Sequence, residues 1–153
     1  MDHDQNFKNL ILDYPLDSLE FFAAKEASDM KQQVRILPIR EEQLKERLGE
    51  RFRELDVPIL VEWPDGLREA ILFVLEEETD PRRFSIHRLA HYCLDLSELF
   101  KINRVVPVVI FLYSNNCPRQ LELFGDEQTY LSFQYLSCVF ADLAYEHYRE
   151  SQN

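Results

Sequence analysis

Glycine is scarce, with three in 153 residues, which argues against a loop-rich fold. Cysteine is equally scarce. Cys93, Cys117 and Cys138 are odd in number and share no metal-type spacing, so neither a disulfide framework nor a zinc site is expected, and the thiols read as buried groups in a reducing compartment. No run reaches the roughly eighteen apolar residues of a membrane span. The opening MDHDQNFKNL has neither the basic start nor the apolar segment of an export signal, so a cytoplasmic protein with no membrane partner is the expectation. Positive charge is also short: 17 Lys and Arg stand against 28 Asp and Glu, for a formal net charge of −11. Proteins that grip DNA non-specifically do so with Lys and Arg that displace counterions. This chain has no global basic field, and a local patch would have to draw on Arg82, Arg83, Arg88, Arg104 and Arg119.

What the chain does have is apolar material: 46% of residues are hydrophobic and 12% aromatic, which argues against disorder. The length suits one domain over residues 1–153, and no repeat, linker or low-complexity tract divides it.

The richest stretch runs from Phe52 to Asp80. Residues 57–63 and 70–75 are almost wholly apolar, with many β-branched or aromatic side chains, and Pro64-Asp65-Gly66 between them is a turn signal, so two strands and a hairpin are predicted. Neither alternation face is polar, which places the hairpin centrally in a sheet covered on both sides. A three-residue loop pairs Trp63 with Leu67, so that the numbers of each pair add to 130; a five-residue loop makes it 132. Either even sum sets Asp56, Glu76 and Glu78 on one face at the end far from the turn, whereas an odd sum brings up Glu77. Neighbours on one face lie roughly 5 to 8 Å apart at the β-carbon, close enough for two carboxylates to share a divalent cation. The run Glu76-Glu77-Glu78-Thr79-Asp80 is awkward as plain strand, because acids are poor strand formers and like charges repel. A hard cation such as Mg²⁺ would relieve it, and so would solvation at a strand end.

Around this hairpin, residues 4–13 and 16–27 read as helix broken at Tyr14-Pro15, with Asp17 or Ser18 as cap. Residues 34–39 form a short strand and 41–53 a charged surface helix with Leu44, Leu48 and Phe52 on one stripe. The clearest amphipathic helix covers 83–101: Ile86, Leu89, Cys93, Leu96 and Phe100 make its stripe, His87 and His91 lie opposite, and Arg88, Tyr92 and Asp95 lie on the flank. The two histidines have the spacing of a helical metal clamp, but HRLAH lacks the internal Glu of a zinc protease, and no third ligand is nominated. Residues 105–112 are a continuous apolar strand that a long preceding helix lets join in parallel. Then come a loop at 114–118, a short strand at 121–124, a turn at Gly125-Asp126, one strand over 130–139 and a closing helix over 140–149.

Asp56 at the start of one hairpin strand and Glu76-x-Glu78 at the end of the next resemble the core of the PD-(D/E)XK, or restriction-endonuclease-like, superfamily. Asp4-x-x-Phe7-Lys8, Leu55-Asp56-Val57, Leu75-Glu76-Glu77-Glu78, Arg88-x-x-x-Tyr92 and the run from Val105 to Tyr113 look more narrowly like its transposase-associated branch of recombination-promoting nucleases. The resemblance covers roughly residues 4 to 140; each motif is degenerate alone, and their order and spacing carry the weight.

The resemblance implies an α/β fold with a central mixed sheet flanked by helices, in the core order αβββαβ. It implies hydrolysis of a DNA phosphodiester with Mg²⁺ or Mn²⁺, Asp56 and Glu76 being the metal ligands. Glu78 then occupies the position where the superfamily carries Lys or Gln. A carboxylate there supplies no positive charge to the attacking water or the phosphate, though beside a metal it can serve as base or extra ligand. Lys8 or Arg88 would have to restore the charge, and Arg88 is as well suited to pairing structurally with the acids at 76–78. Two functions are therefore expected in competition: a metal-dependent DNA endonuclease, and a catalytically inactive nuclease-fold module that binds a protein partner or itself.

Overall fold

The structure, a computed structural model, describes residues 9–22, 35–37, 39, 41–49, 57–66, 68–76 and 84–139. Residues 9–13 are helical, and the chain continues through α1 (Pro15–Phe22), β1 (Arg35–Leu37), α2 (Glu41–Leu48), β2 (Val57–Glu62), β3 (Arg68–Glu76), α3 (Ile86–Phe100), β4 (Val105–Phe111), β5 (Gln120–Phe124), β6 (Thr129–Gln134) and β7 (Leu136–Val139). Five strands make one mixed sheet in the order β1-β2-β3-β4-β7, with β1-β2-β3 antiparallel and β3-β4-β7 parallel. Strands β5 and β6 form a separate hairpin. The expected α/β class with a central mixed sheet is what the chain adopts. Residues 4–8, 23–27 and 50–53 of the expected helices, and the closing helix at 140–149, lie outside the described residues.

The β2–β3 hairpin has the register of a three-residue loop: the pairs run from Glu62 with Arg68 to Val57 with Phe73, and the two numbers always add to 130. The Gly66 N–H donates to the Trp63 carbonyl at 2.9 Å, and Gly66 has φ +87°. No heavy atom lies within 4 Å of where a Cβ would stand, so glycine is required there by the backbone angle and not by space.

Side chains alternate between two apolar layers. Val57, Ile59 and Val61 of β2 with Val108 and Ile110 of β4 pack against Ile11, Leu19 and Phe22 of the first helical segment. Val109 and Phe111, one step out of phase on β4, pack with Leu44 of α2 and with Ile86, Leu89, Cys93 and Leu96 of α3. Helices therefore cover both faces, which is why β2 and β4 carry apolar residues at consecutive positions. The stripe on α3 is buried from Ile86 to Leu96 as its spacing predicts, with Phe100 half-buried, and His87 and His91 are exposed. Tyr92, expected on the flank, is buried in the core because α2 and the sheet together widen the covered face. Ser85 caps the helix by accepting from the Arg88 N–H at 3.1 Å, and Lys101 ends it in the left-handed region at φ 54°.

Two local expectations are corrected. Ser18 is not a helix cap: it sits inside α1, its N–H and its hydroxyl both donating to the Tyr14 carbonyl, at 3.0 and 2.8 Å. Tyr14 is thus the residue that opens α1, with Pro15 at the first helical position, where a missing N–H does no harm. The single strand expected over 130–139 is two, because the chain changes partners at Tyr135: β6 pairs with β5, whereas β7 joins the main sheet beside β4.

All three cysteines are free, with Cys93 and Cys117 buried and Cys138 half-buried. The Cys138 thiol donates to the Phe22 carbonyl at the end of α1, at 3.4 Å. Among the described residues no helix is long and apolar enough to cross a membrane.

Candidate functional site

Parallel pairing with β4 carries β3 as far as Glu76, whose backbone partner is Phe111, the last residue of β4. The ladder thus extends a strand into a residue type that by itself disfavours one. Of the three predicted site acids, Glu76 ends β3, while Asp56 and Glu78 lie outside the described residues, as do Asp4 and Lys8. Among the described residues, no group of three or more His, Cys, Asp and Glu comes together to hold a metal ion. His87 and His91 project from the exposed side of α3, and Arg88 is half-buried on the same helix.

Around Phe111 the chain builds an aromatic and cationic cluster. Phe84 meets Phe111 edge-on with centroids 5.5 Å apart and touches Tyr135 at the same distance. The Arg119 guanidinium lies over Phe111, 5.1 Å from the ring centre, and 5.9 Å from that of Tyr135. Its Nη1 donates to the Tyr135 hydroxyl at 3.0 Å, and that hydroxyl donates to the Pro118 carbonyl at 2.5 Å. Burial pushes the Tyr135 phenol above its usual 10.0; the hydrogen bond and charge of Arg119 oppose that rise, and Cys117 adds to it.

The loop from Tyr113 to Arg119 returns because Asn115 turns it: its side-chain oxygen accepts from the Cys117 N–H at 3.0 Å, and its amide donates to the Tyr113 carbonyl at 3.2 Å. Cys117 is thereby buried and Arg119 reaches back over the strand it has just left.

Of the five arginines named from the sequence, Arg82 and Arg83 lie outside the described residues, and Arg104 and Arg119 stand apart. Arg104 precedes β4 and stands over Trp63, 5.1 Å from its ring, at the turn end of the hairpin. Arg119 sits at the opposite end of the same strand. The seven residues of β4 between them span about 20 Å from first Cα to last at roughly 3.3 Å per step. Sequence reasoning included Arg119 only as one basic residue among several, and it passed over Tyr135, since nothing local separates that tyrosine from its aromatic neighbours in YLSFQYL.

No protein-family model, no curated protein and no solved structure matches this chain.

Proposed function

We propose that the chain is a Mg²⁺- or Mn²⁺-dependent DNA endonuclease of the PD-(D/E)XK type, of the recombination-promoting or transposase-associated kind. Asp56 and Glu76 are its metal ligands, and Glu78 stands in the position of the usual Lys or Gln. The observation that carries this reading is the register of β2 on β3. Its pair numbers add to an even value, the parity that a pocket shared by residues 56, 76 and 78 requires. The element order also supports it: helix, strand, strand, strand, helix, strand, with α2 inserted between β1 and β2. Two carboxylates are a hard-oxygen donor set that suits Mg²⁺ or Mn²⁺. Such an ion, when bound, polarises a phosphate and lowers the pKa of a bound water. The chain's own contribution is to hold the acids on one side of a ladder and to supply, from elsewhere, the positive charge that Glu78 lacks.

A second reading is an inactive nuclease-fold module that docks on a protein partner or on itself. It draws on Glu78, on the net charge of −11, and on Leu123, Phe124 and Tyr130, which stay exposed at the tip of the β5–β6 hairpin. Plasmid DNA incubated with purified protein and Mg²⁺ or Mn²⁺ separates the two. Nicking that is lost in both Asp56→Ala and Glu76→Ala supports the enzyme, and no nicking with either metal rejects it. Thermal unfolding with and without millimolar Mg²⁺ tests the metal site itself: a stabilising shift absent from Asp56→Ala marks binding even where turnover is absent.

A further inference from the structure

We infer that Arg119 is a phosphate-binding residue, held by Phe111 and Tyr135 to receive a DNA phosphodiester at the ends of β3 and β4. The ligand class rests on the nuclease reading above; the site rests on four observations.

The first is place. Phe111, under the guanidinium, is the backbone partner of Glu76, so a fixed cation stands one strand away from the first residue of the acid run. Adjacent strands are about 4.8 Å apart.

The second is charge. Arg35 pairs with Glu62 at 2.7 Å and Arg47 pairs with Glu98, each neutralised by an acid. Arg119 is held by two ring faces and a phenol instead, and among the residues whose side chains are described no carboxylate pairs with it. The groups seen to hold it are uncharged, so they leave the guanidinium its charge.

The third is the donor set. Guanidinium carries five N–H donors in a planar fork suited to phosphate oxygens, and Tyr135 takes one of them. Arg119 is exposed, which leaves it within reach of solvent and of a bound strand.

The fourth is rigidity. The Tyr135 hydroxyl is itself fixed by donation to the Pro118 carbonyl, which locks the fork before a ligand arrives and reduces the ordering that binding costs. Tyr135 is accordingly a positioning residue, and Arg119 supplies at this sheet end the cation that Glu78 withholds.

The test is fluorescence anisotropy of a labelled DNA duplex with the full chain in EDTA, across a salt series, for wild type, Arg119→Gln, Arg119→Lys and Tyr135→Phe. Wild type binds with an affinity that falls as salt rises. Arg119→Gln, which keeps a planar amide and loses the charge, weakens binding about tenfold and lowers the slope of log affinity against log salt by about 0.9, the value of one phosphate contact. Arg119→Lys keeps the wild-type slope. Tyr135→Phe, which keeps both rings and releases the fork, also keeps the slope and loses less affinity than Arg119→Gln. Circular dichroism shows each variant folded, and if Arg119→Gln does not fold, the comparison of Arg119→Lys with Tyr135→Phe decides.

Weaker binding by Arg119→Gln with an unchanged slope marks structural damage and overturns the inference, as does wild-type protein that fails to bind. Should Arg119-dependent binding occur without nicking in Mg²⁺ or Mn²⁺, the nuclease reading falls and the phosphate site stands. Nicking by a protein whose binding ignores Arg119 gives the reverse.

Discussion

The Tyr135 hydroxyl donates to the Pro118 carbonyl at 2.5 Å, across seventeen residues of chain. It ties the loop after β4 to the point where the chain leaves the β5–β6 hairpin for the main sheet, and it also accepts from Arg119. Tyr135→Phe keeps the ring and removes both bonds, leaving the Pro118 carbonyl without this donor. We expect a loss of about 1–2 kcal/mol, read as a lower urea midpoint with an unchanged m-value. A midpoint equal to wild type would show that the bond adds nothing net.

Gly66→Ala places a Cβ where no atom obstructs it but where φ is +87°. The expected cost is therefore conformational, about 1–2 kcal/mol. Thermal or urea unfolding measures it, and a neutral result would mean that the turn relaxes without penalty.

Two leucines on one helix separate burial from propensity. Leu96 is wholly buried between α3 and the sheet, and Leu96→Ala should cost about 2–5 kcal/mol, its spread set by how far the site collapses. Leu94, 58% exposed, should change stability by no more than about 0.5 kcal/mol on the same substitution. Equal losses at the two positions would contradict the orientation of α3.

Burial pushes the Cys93 thiol up from 9.0 to about 12. Because the folded value lies above the unfolded one, the stability linked to this group is fully present below about pH 9. It is lost as pH rises from there through about 12. The stability of wild type should thus fall towards, or below, that of Cys93→Ala between pH 9 and 11, whereas the two should keep a constant difference from pH 6 to 8. Urea unfolding at each pH checks this. Iodoacetamide at pH 8 should leave Cys93 unmodified until the protein is unfolded.

Much of the sheet was legible because its signals are local. Pro64-Asp65-Gly66 signals a short turn, and the apolar run at Val105–Phe111 after a long helix allows a parallel neighbour; the structure chose the sum of 130 among the registers the turn left open, and the parallel pairing. Cover on both faces was readable for the hairpin, since neither of its faces is polar, and β4 shows the same alternation between two cores. The candidate site was legible only as acids on one side of a hairpin, of which the described residues hold Glu76. The cationic part of that sheet end was not legible. Arg119 and Phe111 meet because Asn115 turns a loop, and Tyr135 closes it from seventeen residues further on.

By itself, then, the sequence pointed to most of the strands and the amphipathic helix, to a hairpin turning at Pro64-Asp65-Gly66, and to a sheet buried on both faces. All of these follow from periodicity and turn chemistry within a window of some twenty residues. Only the tertiary structure decided that the run from Thr129 to Val139 divides at Tyr135 between two sheets, that Arg104 stands over Trp63, and that Arg119 folds back over Phe111 and Tyr135. Those outcomes depend on contacts between distant segments, whose free energy exists only once both partners are in place and which therefore leave no periodic trace along the chain.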